Sequence, residues 1–220
     1  MLTILLTAHI VVLGYWLGSE LVINAGYRLV CYADDMPFAQ RDRLMDHVMH
    51  VDQHVRYALV LQAVLGLMLA ASYGYVPGGQ ALVTGAAAFG VCWLAFIEAV
   101  HRLRKSPAGQ NLAKVDRLSR YLLMALLVAV AAGLLGQNWP LPSWLRWKLL
   151  AFAAVMACGV GIRLALLSHF RTWARMAAGE VTDANNAVIR RTYVKATSVL
   201  VLLWLCIAAA TALSIAKPGF

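Results

Sequence analysis

The chain contains six long apolar runs that are separated by short polar, glycine-containing or proline-containing stretches. The runs are residues 2–27, 54–76, 81–103, 121–138, 145–168 and 193–215. A helix needs about 20 mainly apolar residues to cross the hydrocarbon core of a bilayer. Because lipid offers no hydrogen-bond partners, such a segment must pair its backbone groups internally, as a helix does. The runs predict an all-α, six-transmembrane-helix integral membrane bundle, which forms a single domain over residues 1–220.

The composition agrees with a chain that lies mostly in lipid. Apolar residues make up 62% of the sequence and charged residues only 13%, whereas soluble domains have about 45–50% and about 25%. Residues 31–50 are too polar to cross a membrane, and we expect them to form a helical extension of the second span at or beyond the membrane surface. The apolar start of the chain lacks a basic leader and is predicted to be the first, retained span.

The basic residues predict the orientation of the spans. The connections after the odd-numbered spans hold thirteen of them, while the alternate connections and the tail hold three. This bias predicts that the former face the cytoplasm, so that both termini lie outside, in a membrane of the bacterial inner-membrane type. The net charge of +9 therefore does not indicate nucleic-acid binding. The thirteen are Arg28, Arg41, Arg43, Arg102, Arg104, Lys105, Lys114, Arg117, Arg120, Arg171, Arg175, Arg190 and Arg191; the three are Arg146, Lys148 and Lys217.

Ionisable side chains from four spans, including His169 of the fifth, are predicted to lie at one depth. Ionisable residues within spans are costly and by default indicate function. At a rise of about 1.5 Å per residue, Glu20 and Glu98 lie roughly 9 Å to the cytoplasmic side of the midplane. His54 and His101 lie roughly 13–15 Å to the same side. His9 is the exception, since it falls on the outer side.

A haem b centre is the leading hypothesis for this group. Two histidines on adjacent helices can ligate a haem, and arginines at the headgroup level can bind its propionates. His54 and His101 are the first-choice ligands, because a short connection makes spans two and three neighbours. His9 and His50 are the reserve ligands, and Arg56 and Arg102 are the predicted propionate partners.

A redox role would involve the two carboxylates as well. Glu20 and Glu98 are the predicted catalytic residues, acting in proton transfer near a quinone or another small lipophilic substrate. The expected partners are therefore the lipid bilayer and a quinone or a redox partner protein, within an oligomer or a larger complex.

Two other hypotheses remain open. One is a non-haem enzyme or a metal or proton transporter that holds iron, copper or manganese, because Glu98 and His101 form a Glu-x-x-His step like those of helical di-iron proteins. Its predicted metal ligands are Glu20, His50, His54, Glu98 and His101. The other hypothesis is a structural subunit of a membrane complex, in which the histidines have no chemical role.

The stretch LTAHIVVLGYWLGSELV, residues 6–22, resembles the opening helix of two membrane families. These are the copper-resistance D family and the haem-associated protoporphyrinogen oxidase J group, which begin with a histidine followed by an aromatic–aliphatic–glycine step. Here His9 and residues 16–18 carry the resemblance, which covers about one helix of six and implies that His9 is tied to haem or copper. The sequence departs from the pattern at Ser19 and Glu20, where a second glycine often follows, and it has no methionine-rich copper motif.

Overall fold

The computed structural model describes residues 1–104 and 106–217, and Lys105 of the predicted basic connections lies outside the described residues. The described chain consists of six α-helices and contains no β-strand. The prediction of an all-α chain is confirmed. The helices are α1 (Leu2–Tyr32), α2 (Phe38–Ser72), α3 (Gly79–Arg102), α4 (Pro107–Ala131), α5 (Ser143–Ala177) and α6 (Asp183–Ala216).

The helices form a closed ring in chain order. Each helix packs against its neighbours in sequence, and α6 returns to pack against α1. Neighbouring helices run antiparallel: Gly26 on α1 lies against Val48 on α2, and Gly161 on α5 lies against Val199 on α6. The ends of α1, α3 and α5 therefore lie at the same end of the ring as the starts of α2, α4 and α6. We call this the arginine-rich end.

Five of the helices are long and apolar enough to cross a membrane, namely α1, α2, α3, α5 and α6. Many of their large apolar side chains are exposed, among them Ile4, Val91 and Leu205. An exposed apolar surface of this extent is unfavourable in water and favourable in hydrocarbon. The apolar helices thus indicate a lipid bilayer environment and a multi-pass membrane protein.

Helix α4 differs from the predicted fourth span. Its first half carries Lys114, Asp116, Arg117 and Arg120, so that only residues 121–131 form an uninterrupted uncharged stretch. Those eleven residues reach about 16 Å, roughly half of the hydrocarbon core. The predicted boundary at 138 is wrong, because the helix ends at Ala131 and Gly133 follows with a φ of 74°. A glycine in this left-handed conformation stops the helix and lets the next amides bond back to its last carbonyls.

The second span also has different bounds from those expected. Helix α2 begins at Phe38, which confirms the predicted helical extension for residues 38–50, whereas residues 31 and 32 belong to α1. The helix ends at Ser72 rather than at 76. Gly74, with a φ of 77°, follows the end, and the amide of Tyr75 bonds back to the carbonyl of Ala70 at 2.9 Å.

An apolar plug fills the ring midway along the helices. Trp16 of α1, Ala58 of α2, Val155 of α5 and Leu203 of α6 are all buried and pack together. A second buried cluster, which includes Val30, Met45 and Ile189, lies nearer the arginine-rich end. Because four helices contribute to the plug, the burial of these side chains links the two ends of the sequence and closes the ring.

We expect the α3–α4 connection to be intolerant of side chains at Gly109. The amide of Gly109 donates to the hydroxyl of the N-cap Ser106, and an added Cβ would lie 1.9 Å from the carbonyl oxygen of Leu103. Gly109→Ala should therefore lower the free energy of unfolding by about 1–3 kcal/mol, the usual cost of overpacking. Thermal unfolding of the detergent-solubilised protein measures this.

Gly85→Ala is the matched control, because nothing lies within 4 Å of the added Cβ. Its unfolding midpoint should be unchanged or higher, since alanine favours helix over glycine by about 1 kcal/mol. Equal midpoints for the two variants would contradict this account of the connection.

Candidate functional site

Polar side chains of α1, α2 and α3 form one connected group on the outside of the ring. The hydroxyl of Tyr15 is 2.5 Å from Nδ1 of His54, and the imidazole of His54 makes edge contacts with the rings of Tyr15 and Tyr57. Tyr57 donates a hydrogen bond to Glu98, and Nε of Arg102 donates to the same carboxylate at 2.5 Å. We call Tyr15, His54, Tyr57, Glu98 and Arg102 the lateral polar cluster.

The lateral polar cluster is exposed on the surface of the protein. Tyr15 is 40% exposed, His54 is exposed, and the side chain of Glu98 is 33% exposed. Tyr15 lies thirteen residues from the start of α1 and Glu98 lies nineteen residues from the start of α3. At about 1.5 Å per residue these distances are roughly 20 and 28 Å, within a hydrocarbon core of about 30 Å. Helices that cross the bilayer from these starts would thus carry Tyr15 and Glu98 at the depth of the acyl chains.

Two further histidines meet one turn nearer the arginine-rich end. The rings of His50 on α2 and His101 on α3 are 5.6 Å apart between centroids and nearly perpendicular, at 77°. Nδ1 of His50 is 2.7 Å from the carbonyl oxygen of Asp46. Since a carbonyl can only accept, this contact makes Nδ1 the protonated nitrogen and leaves Nε2 of the neutral ring with a lone pair. Metal-binding histidines are commonly oriented in this way.

The predicted haem-binding residues do not form one contact group in the structure. His101 contacts His50, while His54 contacts the two tyrosines of the lateral polar cluster. The predicted propionate partners already pair with carboxylates, Arg56 with Asp116 at 2.6 Å and Arg102 with Glu98. Among residues 1–104 and 106–217, no group of three or more His, Cys, Asp or Glu side chains could hold a metal ion. His50 and His101 thus fit a ligand role as a pair, and the haem and metal assignments stay predictions.

The two predicted catalytic carboxylates lie in different places. Glu98 belongs to the lateral polar cluster, whereas Glu20 is buried and accepts a hydrogen bond from Nε1 of Trp16 at 3.3 Å. Glu20 is within electrostatic range of Asp52, on α2. The structure therefore gives the two carboxylates separate environments rather than one shared site.

His9 lies nearer the end of the ring that is opposite the arginine-rich end. Its carbonyl oxygen accepts a hydrogen bond from Gln62 at 2.9 Å, and its ring packs close to Gly66. Nδ1 of His9 is buried and has no hydrogen-bond partner among the described residues. Lys148 of α5 is the charged group within electrostatic range. His9 is thus remote from the other histidines, as its position in the sequence predicts.

The sequence reasoning missed a buried group at the arginine-rich end. Arg41 was counted as a connection residue, but its side chain is completely buried. Its Nε donates to the carbonyl of Val30 at 3.0 Å, its Nη1 donates to Asn186 at 2.9 Å, and the guanidinium lies over the ring of Trp173. His169 stacks on the same Trp173. The sequence does contain a pattern that indicates this burial. Arg41, Met45 and Val48 are spaced at i, i+4 and i+7, so they lie on one face of the helix, and that face is buried.

No protein-family profile, curated protein or solved structure matches this chain. The resemblance of residues 6–22 to the copper-resistance D and protoporphyrinogen oxidase J families therefore stays a prediction.

We expect Arg41 to be far more important for stability than its neighbour Arg43. Arg41→Gln would leave the carbonyl of Val30 and the amide of Asn186 buried without their donor, at a cost of about 2 kcal/mol or more. Arg43 is exposed on the same helix turn, so that Arg43→Gln should change the stability by no more than about 0.5 kcal/mol. Thermal unfolding of both variants measures the difference, and equal midpoints would show that the buried contacts of Arg41 do not stabilise the fold.

Proposed function

We propose that the chain is a six-span membrane redox protein that binds a quinone or another small lipophilic molecule at the lateral polar cluster. In this proposal the arginine-rich end faces the cytoplasm of a bacterial-type inner membrane, as the bias of the basic residues favours. The observation that carries the proposal is the hydrogen-bonded pairing of Tyr15 with His54 and of Tyr57 with Glu98 on an exposed face of apolar helices.

The chemistry of the cluster suits such a ligand. Polar groups at the depth of the acyl chains are costly, so that their retention there favours a function. A quinone presents carbonyl oxygens that accept hydrogen bonds, and a quinol presents hydroxyls that donate them. Tyrosine hydroxyls and imidazoles can donate or accept, so Tyr15 and His54 can bind both forms. Tyr57 donates its hydrogen to Glu98 and can accept a hydrogen bond from a quinol.

The carboxylate of Glu98 supplies a route for protons. Reduction of a quinone to a quinol consumes two electrons and two protons. Tyr57 donates to Glu98, and His101 lies one helical turn further along α3 towards the arginine-rich end. In the proposal, protons reach the bound molecule through Glu98 and Tyr57, and His101 is kept for the cofactor, while Arg102 stabilises the ionised form of Glu98.

Haem b is the electron-carrying group of the proposal. Bound haem would supply one-electron chemistry. His54 and His101 are the ligands that the sequence favours, and the ring contact between His50 and His101 favours His50 as the second ligand.

A bare metal ion at the same place is the second candidate, as a non-haem enzyme or a metal transporter. Two imidazoles on one ion, each at about 2.0–2.1 Å from the metal, bring their rings close together. Two observations favour this arrangement: the 5.6 Å separation of the His50 and His101 rings, and the contact of His50 Nδ1 with the carbonyl of Asp46, which leaves Nε2 as the nitrogen that could bind the ion. Iron, copper or manganese would be the expected ions.

The visible spectrum and the metal content of the purified protein distinguish these candidates. We expect a Soret band that is lost in His101→Ala and retained in His47→Ala, because His47 is exposed and makes no ring contact among the described residues. A band lost in His50→Ala or in His54→Ala identifies the second ligand. A colourless protein that carries iron, copper or manganese would contradict the haem assignment and support a bare metal ion at this place. A colourless, metal-free protein would contradict the redox proposal and favour a structural subunit.

We expect Tyr57→Phe to weaken the binding of a short-chain quinol analogue, because the hydroxyl of Tyr57 can accept a hydrogen bond from it. Loss of one hydrogen bond of about 1.4 kcal/mol raises the Kd roughly tenfold. Quenching of the intrinsic tryptophan fluorescence in detergent measures the Kd. Tyr121→Phe is the matched control, because Tyr121 is 42% exposed on α4, away from the cluster. If both variants bind the analogue as the unchanged protein does, the lateral polar cluster is not its site.

A further inference from the structure

A second group of charged residues, which the proposed function does not use, lies towards the arginine-rich end between α2, α4 and α5. The carboxylate of Asp116 on α4 is only 4% exposed and accepts hydrogen bonds from two guanidinium groups, those of Arg56 and Arg120. Arg163 of α5 is within electrostatic range of both arginines, of Asp116 and of Arg117. We call Arg56, Asp116, Arg117, Arg120 and Arg163 the arginine–aspartate cluster.

Among the described residues, the charged groups in and near this cluster carry an excess of positive charge. Four guanidiniums share one carboxylate, and Asp52 is a further acid within electrostatic range of Arg56, Arg120 and Arg163. Four positive charges and two negative charges leave an excess of +2. Arginine stays protonated in proteins, so that the excess cannot be relieved by loss of protons. An anion from outside the chain would balance it.

Two members of the cluster have unused hydrogen-bond donors. Asp116 holds Arg56 and Arg120 in place, and Arg56 also donates to Gln53 at 3.0 Å. Arg117 and Arg163 are exposed and, within the part of the chain that the structure describes, donate to no protein group. Guanidinium groups bind phosphate oxygens with two parallel hydrogen bonds. Arg56 and Arg120 are therefore held by Asp116, while the guanidinium groups of Arg117 and Arg163 are available to bind a phosphate.

The position of Arg163 favours a phosphate that belongs to a lipid. Arg163 lies twenty residues from the start of α5, about 30 Å along the helix and thus at the boundary of the hydrocarbon core. Leu164 and Leu167 beside it are 63% and 48% exposed, and they offer an apolar surface to acyl chains. Basic pockets between transmembrane helices on one side of a membrane are known to bind anionic headgroups. We infer that the arginine–aspartate cluster binds the phosphate of an anionic phospholipid.

Thermal unfolding with added lipid tests this inference. A ligand that binds only the folded protein raises its unfolding midpoint, so that phosphatidylglycerol added to the delipidated protein in neutral detergent should raise it and phosphatidylcholine should not. Arg163→Gln should weaken the apparent affinity for phosphatidylglycerol at least tenfold, and Arg163→Lys should give an intermediate loss. Because Arg163 makes no hydrogen bond or ion pair with the described residues, the fold should tolerate both changes.

Arg171→Gln is the matched control, since it removes the same charge from an exposed position two turns further along α5. Its affinity for phosphatidylglycerol should match that of the unchanged protein. Equal losses in the two glutamine variants would show non-specific attraction and overturn the assignment. If inorganic phosphate alone gave the same stabilisation, the cluster would be a site for free phosphate and the lipid assignment would be wrong. If neither phosphatidylglycerol nor inorganic phosphate stabilised the protein, the cluster would not be an anion-binding site. None of these outcomes depends on a visible spectrum or on quinone binding.

Discussion

The cost of leaving a polar group unpaired in hydrocarbon is the constraint on which the rest of this structure depends. The helices satisfy their own backbone groups, and small polar side chains within them bond back to a carbonyl one turn earlier, as Ser72 does to Met68 and Ser198 does to Val194. Larger polar groups use partners one turn away, as Glu20 does with Trp16, and partners on other helices, as Asp116 does with Arg56. The second kind of contact ties neighbouring helices together.

The polar side chains consequently collect in separate places rather than along one path. Glu20 and the arginine–aspartate cluster lie towards the arginine-rich end, His9 lies near the opposite end, and the plug around Trp16 and Val155 separates them. The lateral polar cluster is the exception, because its groups pair with one another but remain exposed on the outside of the ring. A surface that is both apolar in its surroundings and rich in hydrogen bonds suits a ligand that itself moves in lipid.

Features of this fold that depend on interactions between residues close in sequence could be predicted, and features that depend on distant residues or on backbone conformation could not. Long apolar runs are local, so the six helices and the extension before residue 54 could be predicted. The end of α4 could not be placed, because Gly133 stops the helix through backbone conformation while the apolar run continues to Leu135. The fourth span therefore stays a prediction, whereas the other five helices meet the length and the apolar character that a membrane requires.

The candidate site was predicted in part, and the missing part depends on the rotation of each helix. Depth along the sequence grouped Glu98 with His54, and both contact Tyr57 in the structure. Only the packing shows that His101 contacts His50 and that His54 contacts Tyr15. Arg41 was missed because a charged residue in a polar stretch resembles a solvated one. Its burial depends on α1, α5 and α6, which are distant in sequence.

The lipid exposure of the lateral polar cluster is the central claim, and site-directed spin labelling tests it most directly. A spin label at His54→Cys, in a chain whose four native cysteines have been replaced and which is reconstituted in liposomes, should be relaxed more by dissolved oxygen than by a water-soluble nickel chelate. A label at the exposed His47→Cys, seven residues nearer the arginine-rich end, should show the opposite preference. If the nickel chelate relaxed the label at residue 54 more strongly than oxygen does, as expected at residue 47, the cluster would lie in water and this account would be contradicted.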